Sequence, residues 1–349
     1  MVRVLIVEDS VVARELLKHI LTSDPEIEVI GTADNGVQAI EFISRDKPDV
    51  VTMDIIMPKM DGYEATRRIM ESNPVPIVVV SASVSKVEVE RTWRAVEAGA
   101  VAVLEKPRLA DMGVRGTDAE KLILTVKAMA QVKVVRRWKK PKAETEPKTV
   151  PTPTKAPAPS EDFKIVAIGA STGGPSALHK ILGGLPGEFP VPILIVQHIS
   201  PGFTAGFVDW LNDATDLNMR LAADREPVLP GSVYVAPDGC QMAVGRDRRI
   251  SITPDESTNG IKPSASHLFR SVAHAFGEKA VGVLLTGMGR DGAEELKLMR
   301  DLGAVTIAQD KESSVVYGMP GEAVKLGAAK HSLSPEGIRD FLKRIAGRA

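Results

Sequence analysis

Short apolar runs of strand length recur along this chain with amphipathic segments between them, and that alternation restricts its fold more than any other feature. In the first 138 residues the runs are Val2–Val7, Ile27–Ala33, Val50–Met53, Ile77–Val80 and Ala102–Leu104; later ones lie at 165–168, 191–196 and 280–285. Strands buried on both faces read as runs rather than alternations, and parallel strands need a crossover of helix length. The pattern therefore predicts α/β architecture, with mostly parallel sheets clad by helices. Between the two sets, 139–162 carries Pro141, Pro147, Pro151, Pro153, Pro157 and Pro159 among Lys, Glu, Thr and Ala. No stretch of it can bury a core, so it reads as a semi-rigid tether. A flexible chain of that length spans on the order of 25–30 Å. The expected organisation is one domain at 1–138, the linker at 139–162 and a second domain at 163–349.

With 349 residues, 44% of them hydrophobic, the chain has material for two cores. A formal net charge of −1 supplies no global field toward nucleic acid or an anionic membrane. The cluster Arg136, Arg137, Lys139 and Lys140 is read as a solvated helix terminus rather than a nucleic-acid patch. The lone Cys240 admits no intrachain disulfide, Met1-Val-Arg-Val-Leu-Ile-Val7 runs directly into Glu8 and Asp9, and no apolar stretch approaches the ~20 residues that span a bilayer. A soluble, cytoplasmic protein without membrane insertion is expected.

In a parallel sheet the chemistry gathers at the C-terminal strand ends. In the first domain those ends carry Glu8 and Asp9, Asp54, Ser81 and Lys106. Three carboxylates form a hard oxygen set suited to Mg²⁺, and a lysine with a hydroxyl suits a phosphoryl group. Leu5-Ile-Val-Glu-Asp9, Asp54-Ile-Ile-Met-Pro-Lys-Met-Asp-Gly62, Ser81-Ala82 and Lys106-Pro107 stand in the order of the response-regulator receiver family, which residues 1 to about 125 resemble. The resemblance implies a doubly wound, flavodoxin-like domain. It further implies that Asp54 accepts a phosphoryl group from a histidine kinase, that Glu8, Asp9 and Asp54 hold Mg²⁺, that Lys106 pairs with the phosphate and that Ser81 moves to bond it. Val103 stands where receivers commonly have an aromatic switch residue.

In the second domain, the run at 165–168 meets Gly169-Ala-Ser-Thr-Gly-Gly-Pro175 before a helical pattern begins near Ser176. Ser171 thus sits on a strand-to-helix turn, with the free N–H groups of Thr172 and Gly173 able to hold negative charge. The segment fits G-x-S-x-G, and Ser171 occupies the place of the middle glycine in G-x-G-x-x-G, so the dinucleotide fingerprint fails. His198 ends the run at 191–196, and Asp291 follows the run at 280–285. Separately, His198 reads as a structural histidine and Asp291 as a helix N-cap. Together, a Ser, a His and an Asp at the ends of strands in one sheet have the geometry of nucleophile, base and orienting acid. Their order differs from that of α/β-hydrolases.

Gly169-Ala-Ser-Thr-Gly-Gly174, Val196-Gln-His198, Pro230 to Pro237, Leu285-Thr-Gly-Met-Gly-Arg-Asp-Gly292 and Ser314-Val-Val-Tyr-Gly-Met-Pro320 resemble the CheB family of chemotaxis protein-glutamate methylesterases, which also deamidate receptor glutamines. The resemblance implies Ser171 as nucleophile, His198 as base and then acid, Asp291 as its orienting group, and Thr172 and Met288 as neighbours of the oxyanion. It implies no cofactor for the esterase reaction, with chemoreceptors as substrate and a chemotaxis histidine kinase as phosphodonor. Ile199-Ser200, Gln241 and Ser266 depart from the family pattern. His267, Trp210 and Tyr317 are read as structural or rim residues, and His179 as solvent-facing. A receiver-controlled binding module without turnover, or an esterase acting on another protein, stands as the alternative.

Overall fold

The computed structural model describes residues 1–82, 85–108, 118–132, 134, 163–254 and 260–346. The expected linker at 139–162, the basic cluster at 136–140 and Thr117 lie outside them.

The N-terminal sheet is built from β1 (Val2–Val7), β2 (Ile27–Ala33), β3 (Val50–Met53), β4 (Ile77–Ser81) and β5 (Ala102–Glu105), in the order β2-β1-β3-β4-β5. Every pairing is parallel. The intervening helices are α1 (Val11–Thr22), α2 (Gly36–Arg45), α3 (Gly62–Ser72), α4 (Lys86–Ala98) and, after β5, α5 (Asp118–Met129). Side chains of Ser10, Asn35, Asp61 and Ser85 accept from the first-turn N–H groups of α1 to α4, so each helix starts where a cap satisfies otherwise orphaned donors. Leu122, Val126 and Met129 of α5 are buried, as their spacing predicts. The strand order reverses between β1 and β3, and the crevice at that switch point brings Glu8 and Asp9 beside Asp54.

The second domain contains a seven-stranded parallel sheet ordered β14-β13-β12-β6-β7-β9-β8. Its central strands are β6 (Ile165–Ala170), β7 (Ile193–Gln197) and β12 (Ala280–Leu284). The flanks are β8 (Asn218–Leu221), β9 (Ser232–Val235), β13 (Val305–Gln309) and β14 (His331–Leu333). A separate antiparallel hairpin pairs β10 (Gln241–Val244) with β11 (Ile250–Thr253). Helices α6 (Gly174–Leu182), α7 (Thr204–Ala214), α8 (Ala265–Phe276), α9 (Ala293–Asp301), α10 (Met319–Lys325) and α11 (Pro335–Ala346) cover the sheet. The first begins at Gly174, two residues before the expected start, because Gly173 adopts the left-handed conformation that turns the chain out of β6. Strand β6 lies between β12 and β7, so the loops after these three neighbours open on one edge.

The two domains meet along α4 and α7. Trp93 is buried with its ring centroid 5.1 Å from Phe207 and 5.7 Å from Trp210, stacked on the latter. His179 extends the stack, 5.1 Å from Trp210, so it is half-buried against the interface rather than solvent-facing. Among the described residues no helix is long and apolar enough to cross a membrane.

Candidate functional site

In the first domain, Glu8 and Asp54 are buried, and the ligand oxygens of Glu8, Asp9 and Asp54 lie within 4.8 Å of one another. Lys106 Nζ sits 2.9 Å from Glu8 Oε2 and 3.0 Å from Asp54 Oδ2. Burial pushes the Glu8 carboxyl up, the Asp54 charge adds to this, and Lys106 pulls against both. Burial likewise raises Asp54 against the pull of Lys106. Two buried carboxylates that disfavour ionisation together, with one more at the rim, fit a divalent cation that would neutralise them. Ser81 Oγ donates to Glu88 of α4, and the same carboxylate accepts the Ala82 N–H at 2.8 Å. The Ser81 hydroxyl is thus tied to the helix that packs against the second domain.

In the second domain the three expected residues stand on the loops after adjacent strands. Ser171 follows β6 and is half-buried; its N–H donates to Thr286 O at 3.1 Å. His198 follows β7, with its N–H donating to Ala170 O at 2.9 Å. Asp291 follows β12 and is buried. His198 Nε2 lies 2.9 Å from Asp291 Oδ2, which leaves Nδ1 as the ring nitrogen free for a serine hydroxyl. Gly287 permits the approach of the β12 loop, since a Cβ there would come within 2.6 Å of Ser171 Cβ.

Asp291 is not the N-cap of α9; Gly292 takes that position without a side-chain cap. Instead, Asp291 reaches the start of α8, where Oδ1 accepts from Ser264 Oγ at 2.8 Å and Ser266 N at 3.2 Å, and Oδ2 from Ala265 N at 2.7 Å. Burial opposes its charge, but the bond to His198 and its charge, with the bonds from Ser264 and Ser266, hold the carboxyl well below the usual range. Gln241 and Ser266, expected to depart from the family pattern, serve this arrangement. Gln241 is fully buried and accepts the Ser264 N–H at 2.9 Å, while Ser266 Oγ accepts the Gly292 N–H at 2.8 Å.

The Thr172, Gly173 and Met288 amides donate to no described residue, so three N–H groups remain available around Ser171. Met288 is itself exposed. Ser200 is buried and takes a bond from Lys121 Nζ at 3.1 Å and a longer one from the Glu105 N–H at 3.4 Å. The first domain therefore touches the His198 loop directly, next to Lys106. Val315 and Val316, from the loop before α10, also pack against its core. Sequence reasoning missed the buried side chains that brace the loops, Gln197, Ser264, Thr286 and Gln309. For Gln197, Thr286 and Gln309 the sequence signal is a polar residue adjoining or inside a strand-end apolar run; for Ser264 it is a serine at the start of a helical pattern.

Two features define the class: a crevice of three carboxylates on a 2-1-3-4-5 sheet, and a Ser–His–Asp constellation on a second parallel sheet, as in a response regulator with an α/β enzyme domain as its output. The chain belongs to the CheB methylesterase family. That family's profile matches residues 166–342, and the response regulator receiver profile matches residues 4–113. A protein-glutamate methylesterase/protein-glutamine glutaminase of Syntrophus aciditrophicus is 53% identical over 354 residues, covering 99% of each chain. One from Geobacter metallireducens is 52% identical over 349 residues, again covering 99% of each. The crystal structure of the Thermotoga maritima CheB methylesterase catalytic domain is similar at 34% identity and a TM-score of 0.51, over 53% of this chain and all of that one. A receiver domain implies a divalent metal, and the acidic cluster is in keeping with one. Relatives that share both domains and the enzyme name favour an enzyme over a module without turnover.

Proposed function

We propose that this chain is a phosphorylation-regulated hydrolase that removes methyl esters from glutamates, and deamidates glutamines, on chemoreceptors. The observation that carries this reading is the buried Asp291 carboxylate bonded to His198 Nε2, on the loop beside Ser171. Ser171 Oγ attacks the side-chain ester carbonyl while its proton passes to His198 Nδ1. The ring becomes an imidazolium stabilised by Asp291. Backbone amides at Thr172 and Met288 hold the oxyanion, each donor contributing about 3–4 kcal/mol of transition-state stabilisation. His198 returns the proton to departing methanol. Water then attacks the acyl-enzyme along the reverse proton path, freeing the glutamate and Ser171. Glutamine follows the same route and releases ammonia.

In the receiver, Asp54 is the phosphoacceptor and a chemotaxis histidine kinase the donor. Glu8, Asp9 and Asp54 hold Mg²⁺, which when bound neutralises phosphoryl oxygens. Lys106 pairs with the phosphoryl group and Ser81 turns from Glu88 toward it. The unphosphorylated receiver lies against the His198 loop through Ser200 and against the loop of Val315, a placement that supports occlusion of a bulky helical substrate. Phosphorylation shifts that docking and relieves inhibition. The lone Cys240 thiol and the kinase partner support a cytoplasmic site of action.

The test is methanol release from methylated chemoreceptor membranes, with and without a small phosphodonor and Mg²⁺. Release rises on phosphorylation, and Ser171→Ala lowers kcat by about 10⁶-fold. Release by Ser171→Ala at the wild-type rate would overturn the reading.

A further inference from the structure

The two peptide units that follow Ser171 are each held by their carbonyl. Ser171 O accepts from Gln197 Nε2 at 2.8 Å and from the Gly174 N–H at 2.8 Å. Thr172 O accepts from Thr286 Oγ1 at 2.9 Å. Both side chains are buried, Gln197 at 3% and Thr286 at 0% exposure, so both carbonyls point inward. In a trans peptide the C=O and the following N–H point opposite ways. The Thr172 N–H is consequently turned away from Gln197 and the Gly173 N–H away from Thr286, and neither donates to any described residue. Gly173 completes the turn at φ 79°, a conformation open to glycine.

The two holders are themselves fixed. Thr286 Oγ1 accepts the Val316 N–H at 2.9 Å, and the Thr286 N–H donates to Gln309 Oε1 at 2.9 Å. Gln197 Nε2 also donates to His198 O at 3.1 Å, so one side-chain amide spans the backbones of nucleophile and base.

We propose that Gln197 and Thr286 are positioning residues that lock the two peptide planes after Ser171, presenting the Thr172 and Gly173 N–H groups to the substrate's carbonyl oxygen. This rests on Ser171 being the nucleophile. It takes up the Gly173 N–H beside that of Thr172 and assigns the geometry of the hole to side chains that never touch substrate. Loss of one oxyanion donor lowers kcat by about 10²–10³-fold, and a donor that is present but misaimed costs less.

The test uses the full-length chain activated with a phosphodonor and Mg²⁺, comparing Thr286→Val, Thr286→Ser and Gln197→Met. Thr286→Val keeps the shape without the hydroxyl, and Gln197→Met keeps the length without the amide. Both should lose about 10- to 100-fold in kcat with KM within about 2-fold, since the interaction matters only when charge develops. Thr286→Ser, which restores the hydroxyl, should recover to within a few-fold of wild type. The rate at which a fluorophosphonate labels Ser171 should fall in parallel with kcat, a loss that a drop in thermal stability alone would not produce. A folded Thr286→Val and Gln197→Met pair with wild-type kcat would overturn the proposal, as would Thr286→Ser being as impaired as Thr286→Val. Ser171→Ala separates the two levels. If it stays active, the nucleophile assignment fails. If it is dead while the positioning variants are unimpaired, only the lock fails.

Discussion

At the scale of single residues, Asp291 distributes four hydrogen-bond donors over its two oxygens, and three of them come from the first turn of α8 and its cap. A carboxylate so supplied stays ionised beside His198 and holds one tautomer of the ring. Asp291→Asn keeps the shape but loses the charge, and kcat should fall by about 10⁴-fold with little change in KM. The same variant has a signature in stability. The folded carboxyl titrates below its unfolded value of about 3.9, so it stabilises the fold above that pH and loses the contribution as pH falls toward the folded value. Urea denaturation at pH 7 and near pH 3 should show a fall in stability for the wild type that Asp291→Asn lacks in part. Ser171, His198 and Asp291 could be singled out in the sequence because each lies in the glycine-bearing or polar loop that follows an apolar run. Gln241 and Ser264 were not, since they act across 23 residues of chain and bear on Asp291 only once α8 is placed.

Between elements, the contact of α4 with α7 depends on a missing side chain. A Cβ at Gly206 would come within 2.1 Å of Val89 Cγ1, and Val89 is β-branched and stiff. Gly206→Ala should raise the intrinsic stability of α7 by up to about 1 kcal/mol while crowding the receiver. Overpacking of that kind costs about 1–3 kcal/mol, which shifts docking toward the free state by roughly 5- to 150-fold. Methanol release by the unphosphorylated variant should therefore rise toward the activated rate, with a small additional response to a phosphodonor; an unchanged basal rate would count against occlusion. The five receiver strands and the central β6, β7 and β12 were readable from buried runs. The edge strands β8 and β14 are short and partly exposed, with no continuous run to announce them. The β10–β11 hairpin was missed for a similar reason, its four-residue strands being only partly apolar.

Across the whole molecule, the residues proposed for phosphoryl chemistry and those proposed for ester chemistry are separate, and the two domains meet through α4 and α7 and through the loops of Ser200 and Val315. Chelation of divalent metal should consequently abolish stimulation by a phosphodonor and leave the unphosphorylated rate of methanol release unchanged. A basal rate that fell with chelation would place the metal in the wrong domain. The loop of Val315 also joins the two halves. This side chain fills the space beside Gly173, where a Cβ would meet it at 2.6 Å, and also packs against the receiver core. One residue thus answers to two neighbours in different domains, and a change in either alone leaves a mismatch there. Chimeras that pair this receiver with a relative's enzyme domain will inherit that mismatch at position 315, so the covariation of Val315 with receiver residues, more than that of either catalytic centre, should record which domain pairs have evolved together.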